Sequence, residues 1–289
     1  MVCAASITHV YGHGSGCLPY LFAGATVILV NSFCTYSGLL EWLLKPNTTI
    51  FIGLPIHYEL LCSKENIDIS NVRLALSAGG ILSTHIFKNA VEKIGIPINN
   101  MYGMSELGAI ATVRGSTLYS DPSVVGIPMN NVLINHNINF KKPNNVLVKS
   151  NALAYGYYNF DTRKINRMPL DEEGWFNTGD IGFFLSDGSL TLCGRADEMI
   201  NVMGNKVNPR DIEKVIEICF GVKEVAVAGR IDESRGQVPI AYVIAKEISK
   251  EAIMDACYKL LPLHKVPREI IFVEHIPRTP NGKIMKNKL

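Results

Sequence analysis

Thr49-Ile50-Phe51-Ile52-Gly53-Leu54-Pro55-Ile56-His57-Tyr58-Glu59-Leu60-Leu61-Cys62 carries a strand signal and then a helix signal, with glycine and proline at the junction. The run over 49–54 is apolar and β-branched, as a buried strand requires. From 55 to 62 the pattern turns helix-like. The same order repeats on both sides. Apolar runs occur at 25–30, 73–77 and 96–99, with helix-like stretches over 37–44 and 83–94. The last of these opens on Ser83 as an N-cap and stops at Gly95. Strand–helix alternation predicts a parallel sheet, and such sheets bind ligands beyond the carboxyl ends of their strands. The glycine-containing segments 53–55, 78–80 and 102–103 fall at those ends and predict a cleft there.

Further along, the style changes. Residues 110–195 are rich in Gly, Pro and Asn, with short strands such as 145–150 and a hairpin turn at Asp187-Gly188. An antiparallel, barrel-like subdomain is expected. After Arg195 the charge density rises: residues 197–289 hold 28 charged side chains, against 26 in residues 1–196. Asn208 then Pro209 reads as an N-cap with proline at the first helical position, opening a helix to about 219. Strands are expected at 222–228, 240–245 and 270–273, and a helix near 249–261. The predicted fold class is α/β. A partial α/β sheet subdomain covers 1–109, a β-barrel-like subdomain 110–196, and a small α+β domain 197–289.

Composition removes several function classes. Hydrophobic content of 47% excludes disorder. No apolar run reaches the roughly 18 residues of a membrane span. A net charge of +2 without a basic cluster speaks against nucleic acid. Seven scattered cysteines without a Cys-x-x-Cys pair speak against a disulfide framework or zinc site, and for a reduced, cytoplasmic compartment. Residues 1–40 contain no Asp, Glu, Lys or Arg. They read as domain interior, expected to expose apolar surface unless a partner chain or a second copy covers it.

Four motifs carry chemistry. Asn100-Met101-Tyr102-Gly103-Met104-Ser105-Glu106 is either a turn capping a helix or a nucleotide contact. In the second reading Tyr102 offers a flat face to a base, Ser105 donates to a phosphate oxygen, and Glu106 binds Mg²⁺, which prefers carboxylate and phosphate oxygens. Gly174-Trp175-Phe176-Asn177-Thr178-Gly179-Asp180-Ile181-Gly182 is a β-turn with a buried Trp, or presents Asp180 to sugar hydroxyls. Gly194-Arg195-Ala196-Asp197-Glu198-Met199-Ile200, running on to Gly204-Asn205-Lys206-Val207-Asn208-Pro209, marks a linker at the composition break. Pro277-Arg278-Thr279-Pro280-Asn281-Gly282-Lys283 is a turn that leaves Lys283 solvated or projects it toward a phosphate.

In this order and spacing the motifs resemble the adenylate-forming superfamily of acyl-CoA and aryl-CoA ligases, luciferase and nonribosomal adenylation domains, over nearly the whole chain. The resemblance implies activation of a small carboxylic acid as an acyl-adenylate with ATP/AMP and Mg²⁺, then thioester formation on CoA or on the phosphopantetheine thiol of a carrier protein. It implies Tyr102 on adenine beside Gly103, Ser105 on the α-phosphate and Glu106 on the metal. Asp180 and Arg195 match the ribose contacts, Asp197 the hinge, and Lys283 the lysine at the developing adenylate charge. Gly79 and Gly80 match backbone lining the adenine and acyl pocket. His9, within Thr8-His9-Val10-Tyr11-Gly12, matches a residue that gates or lines that pocket. Gly204 and Lys206 lie on the loop facing the pantetheine tunnel. Attack of a carboxylate on the α-phosphate concentrates negative charge, which a metal, a lysine and hydroxyl donors stabilise. Two departures stand out. The family's Ser/Thr/Gly-rich phosphate loop has no counterpart, which places it in an N-terminal part missing from this chain. The stretch 144–156 lacks the usual Gly-Glu opening. Two readings follow: part of an acid–thiol ligase that works once joined to an N-terminal partner, or an impaired remnant that binds nucleotide or acyl-AMP.

Overall fold

The computed structural model describes the chain apart from residues 32–33, 64–66, 115–120, 136–141 and 280–282. It divides into two compact units. The first comprises Met1–Thr178 and Gly182–Leu192, the second Gly179–Ile181 and Cys193–Leu289.

In the first unit, β1 (Val2–Cys3), α1 (Leu18–Phe22), β2 (Ile28–Leu29), α2 (Tyr36–Leu43), β3 (Ile50–Gly53), α3 (Pro55–Cys62), β4 (Leu74–Ser77), α4 (Thr84–Asn89) and β5 (Ile98–Met104) follow the alternation read from the sequence. Strands β2, β1, β3, β4 and β5 lie side by side and parallel. All four residues of β3 are buried, the expected state of a parallel strand covered on both faces. Ser83 caps α4 by accepting a hydrogen bond from the Ile86 N–H at 3.2 Å. The helix continues through a π-helical turn, Ala90–Ile94, and stops at Gly95 with φ of 71°. The strand read at 25–30 shortens to β2, which among the described residues stands at the edge of the sheet and pairs with the two residues of β1.

Parallel pairing of β5 ends at Asn100, but the strand runs on to Met104. There it pairs antiparallel with β6 (Gly108–Thr112), shifting register between Tyr102 and Gly103. β7 (Val124–Pro128), β8 (Leu133–Ile134), β9 (Asn144–Lys149), the hairpin β10 (Gly156–Asn159) with β11 (Lys164–Arg167), β12 (Phe176–Phe184) and β13 (Leu190–Arg195) follow. The order β5-β6-β7-β13-β12-β9-β8 carries the antiparallel strands on as part of one 11-stranded sheet. Of the stretch 174–182, legible as a turn with a buried Trp, residues 176–182 lie within β12, and Trp175 just before it is half-buried rather than buried. A Cβ at Gly182 would sit 2.7 Å from the Thr191 carbonyl oxygen, so glycine here permits a close strand approach rather than a bend.

Residues 1–40 divide in character. Val2, Cys3 and Ala4 are fully buried, whereas Leu18, Leu21, Leu29 and above all Phe22, 88% exposed, face outward.

In the second unit, β14 (Ile200–Val202), β15 (Asn205–Val207), α5 (Pro209–Glu217), β16 (Val222–Asp232), β17 (Gly236–Ala245), α6 (Lys250–Leu260) and β18 (Glu269–Phe272) form one sheet with two helices. Val207, Ile212, Ile216, Ile253 and Cys257 are among its fully buried core residues. Asn208 caps α5, its Oδ1 accepting from the Arg210 N–H at 3.0 Å while its Nδ2 donates to the Cys193 carbonyl at 2.8 Å. β16 and β17 outrun the expected stretches because their pairing continues from Arg230 and Val238 to Asp232 and Gly236, where Arg230 and Ile231 are exposed and no buried apolar run marks the strand. Among the described residues no helix is long and apolar enough to cross a membrane. All seven cysteines are free thiols.

Candidate active site

The rim of the first unit is set by register. Gly53, Ser77 and Asn100 stand in one row across β3, β4 and β5, so three carboxyl ends open on the same edge. The chain leaving β1 crosses that edge through residues 6–11. The buried Tyr11 hydroxyl donates its one proton to the Leu76 carbonyl at 3.0 Å, with the Gly53 carbonyl beside it at 3.3 Å, and burial pushes its pKa well up, so it stays a donor. His9 is half-buried, and its Nδ1 accepts from the Tyr11 N–H at 3.2 Å. In the neutral ring this leaves the proton on Nε2. Gly12 fixes the turn, since a Cβ there would fall 2.1 Å from the Ser6 carbonyl oxygen. Gly79 and Gly80 follow β4 and are exposed; Gly79 holds φ of 79°, a conformation suited to glycine.

Tyr102 is only 7% exposed and belongs to the core cluster with Leu107, Ile110 and Val125. Its ring packs in the interior of the β5–β6 region rather than lying open on the rim. Gly103 is required by packing, because a Cβ would approach the Gly108 carbonyl oxygen to 2.5 Å. Ser105 is exposed and Glu106 half-buried, both in the turn between β5 and β6. The Tyr157 hydroxyl donates to Glu106 Oε1 at 2.7 Å. Oε2 of Glu106 takes no hydrogen bond or ion pair from the described residues. A carboxylate with one open oxygen fits Mg²⁺, which takes one or two carboxylates and completes its shell with phosphate and water. Among the described residues no cluster of three or more His, Cys, Asp or Glu could hold a metal without such help.

In the second unit the structure brings three of the sequence-read residues together. Arg195 forks onto Asp197, Nε to Oδ1 at 3.0 Å and Nη2 to Oδ2 at 3.1 Å, and reaches Asp180 Oδ1 with Nη1 at 3.4 Å. Gly179, at φ of 75°, makes room: a Cβ would lie 2.9 Å from Arg195 Nη2. The Arg195 hydrogen bonds hold the Asp197 carboxyl below its ordinary range, with Lys283 adding attraction. The same bonds to Asp197 raise the Arg195 pKa. Gly204, at φ of 84°, is the tip of the β14–β15 hairpin, and Lys206 lies exposed on β15 opposite Asn201. Lys283 is exposed; its carbonyl accepts from the Thr279 N–H at 2.8 Å and its N–H donates to Thr279 Oγ1 at 3.1 Å. The turn residues Pro280, Asn281 and Gly282 lie outside the described residues.

Sequence reading missed two features. Tyr157 lies 51 positions from Glu106, beyond any local signal. Lys286 bridges Glu213 Oε1 at 2.8 Å and Glu198 Oε2 at 3.1 Å, tying the segment after Lys283 to α5 and to the residue after Asp197.

The family profile described as AMP-binding enzyme matches residues 1–158, and that of the AMP-binding enzyme C-terminal domain matches 211–283. This chain belongs to the AMP-binding enzyme family. It is 26% identical over 308 residues to 4-coumarate-CoA ligase 1 of Narcissus pseudonarcissus, covering all of this chain and 56% of the relative. ATP-bound MatB from Rhodopseudomonas palustris superposes with a TM-score of 0.89 at 22% identity, covering 99% of this chain and 59% of that one. The anthranilate CoA ligase AuaEII in complex with anthranoyl-AMP gives 0.84 at 27% identity, covering 99% and 58%. The chain therefore spans somewhat over half the length of the AMP-binding enzymes it matches.

Proposed function

We propose that this chain supplies the nucleotide- and acid-activating residues of an AMP-forming acid–thiol ligase. The substrate is a small carboxylic acid. Its acyl-adenylate is formed from ATP and passed to the thiol of CoA or of a carrier protein's phosphopantetheine. The observation that carries the reading is the Asp180–Arg195–Asp197 cluster, in which a guanidinium fixes two carboxylates beside a glycine backbone. Asp180 accepts from ribose hydroxyls, Arg195 orients it, and Asp197 acts as the hinge residue. Ser105 donates to the α-phosphate, and Gly79, Gly80 and Gly103 offer backbone to the nucleotide. Tyr102 offers the face of its ring to the adenine. His9, with its proton on Nε2, lines the acid pocket. Lys283 neutralises charge on the adenylate, and Gly204 and Lys206 meet the thiol's pantetheine arm. Bound Mg²⁺ would supply charge neutralisation at the phosphates, held by Glu106.

The exposed Leu18, Leu21, Phe22 and Leu29 support a partner as well. An N-terminal partner chain or a second copy covers this apolar face, and the free cysteines suit a cytoplasmic site. The second reading is a binding module that keeps the Asp180–Arg195–Asp197 cluster and binds nucleotide or acyl-AMP without turnover.

Calorimetry with a non-hydrolysable acyl-AMP analogue tests the shared core of both readings. Binding is expected, weakened at least about tenfold by Asp180→Ala through loss of a charge-assisted hydrogen bond. Heat indifferent to Asp180 would remove the ribose assignment. Detectable acyl-AMP formation by the chain itself decides for the ligase over the module.

A further inference from the structure

Glu106 is gripped at both ends by one segment far away in sequence. Its carbonyl accepts from the Ala154 N–H at 2.7 Å, and its Oε1 accepts from the Tyr157 hydroxyl at 2.7 Å. That segment is rigid at the point of contact. Gly156 pairs with Arg167 and Tyr157 with Asn166 across the β10–β11 hairpin, and a Cβ at Gly156 would fall 2.1 Å from the Asn166 carbonyl oxygen. The two strands therefore press together beside Tyr157 more closely than any side chain would allow. A phenol can donate one hydrogen bond, and this one goes to a carboxylate, a charge-assisted partner that narrows the carboxylate's rotation.

We propose that Tyr157 is a positioning residue: it occupies Oε1 of Glu106 and fixes the carboxylate plane so that Oε2 is presented to a divalent cation. This rests on the reading of Glu106 as a metal ligand. Carboxylates that bind metals are themselves hydrogen-bonded, and loss of such an outer partner typically costs about 10–100-fold in metal affinity. Tyr157 has no need to touch the cation or the nucleotide.

The test is calorimetric titration of ATP into the full chain over a series of Mg²⁺ concentrations, with unaltered protein, Tyr157→Phe, Glu106→Gln and the double variant. The ring of Tyr157→Phe keeps the hairpin surface, and its thermal midpoint is expected to match the unaltered chain. Tyr157→Phe should raise the Mg²⁺ concentration for half-maximal enhancement of ATP binding about tenfold, with metal-free ATP affinity unchanged. Glu106→Gln should raise it at least as much, and the double variant no further. Such non-additivity is the mark of a residue that acts through another. If Glu106→Gln shifts the Mg²⁺ requirement and Tyr157→Phe does not, the positioning role falls while Glu106 keeps its assignment. If Tyr157→Phe weakens metal-free ATP binding equally, the phenol serves the nucleotide and the proposal is overturned. If Glu106→Gln leaves the Mg²⁺ requirement unchanged, or the unaltered chain shows no Mg²⁺-dependent ATP binding, both assignments fall together.

Discussion

The two units place their chemistry by different means. In the first, candidate side chains are set by backbone close approach and neutral donors. His9 is held by a backbone N–H, Gly103 by contact with Gly108, and Glu106 by a phenol. In the second, they are set by ions. Arg195 binds Asp180 and Asp197, Lys286 binds Glu198 and Glu213, and Lys265 binds Asp211 at 2.6 Å. At the centre Arg210 pairs with Glu213 and Glu217, all nearly buried, while Glu213 Oε1 also accepts from the Val227 N–H at 2.9 Å. Backbone close approach fixes a position without regard to pH. Ion pairs fix it only while both partners are charged, and a buried pair leaves an expensive orphan when one partner is removed.

The contrast is sharpest for Arg210. Arg210→Met takes the partner from the buried Glu217 and leaves Glu213 with Lys286 and the Val227 N–H alone, and removing one partner of a buried ion pair costs about 3–5 kcal/mol. Both tryptophans, Trp42 and Trp175, lie in the first unit, so their fluorescence reports it selectively. Denaturant unfolding of Arg210→Met is expected to show an early far-ultraviolet circular dichroism transition from the second unit, with the tryptophan transition in place. Coincident movement of both signals would show that the units unfold together and would break the comparison.

Ile110→Ala is the converse. Ile110 is fully buried in the core of the antiparallel strands. Truncating a large aliphatic core residue costs about 2–5 kcal/mol through lost burial and a cavity. The tryptophan midpoint should fall while the transition of the second unit holds. No movement of tryptophan fluorescence would mean that the region around Ile110 repacks without penalty.

How much of this was legible in the sequence depends on distance along the chain. The strands and helices from β3 to β5 were readable because Gly53, Ser83 and Gly95 punctuate them within a few residues. The Asn208–Pro209 start of α5 was readable for the same reason. Asp180, Arg195 and Asp197 carried local motifs, and folding brings them into one cluster. Tyr157 and Lys286 were not readable, since their partners lie 51 and 73 positions away. Arg210 and Glu213 look like the polar face of an amphipathic helix. They are buried because each charge meets its complement, which no periodicity reveals. The burial of Tyr102 was not legible either, because it follows from β5 running past the rim to pair with β6.

A smaller effect is expected at Asp197, where the pair with Arg195 is partly exposed. Its carboxyl is held below the usual 3.8 by the Arg195 hydrogen bonds. A carboxylate with a lowered folded-state pKa stabilises the fold fully above its unfolded value, and that contribution disappears as pH falls through the folded value. The gap in thermal midpoint between the unaltered chain and Asp197→Asn should therefore be constant from pH 7 to about 5 and close below about 4. A gap that opens on acidification would reverse the assigned sign and detach Asp197 from Arg195.

The smallest effect tests whether ion pairs matter in the second unit because of their number or because of their burial. Arg230 and Glu269 join β16 to β18 at 3.0 Å, yet both side chains stand about half in water. Solvent screens such a pair, and ordering two long side chains offsets most of the attraction, leaving roughly 0–1 kcal/mol. Arg230→Gln should shift the circular dichroism transition by less than about 1 kcal/mol, and added salt should erase the difference. If the shift instead approached that of Arg210→Met, burial would not be the deciding variable. The ionic character of this unit would then be a distributed property of its surface rather than one concentrated at α5.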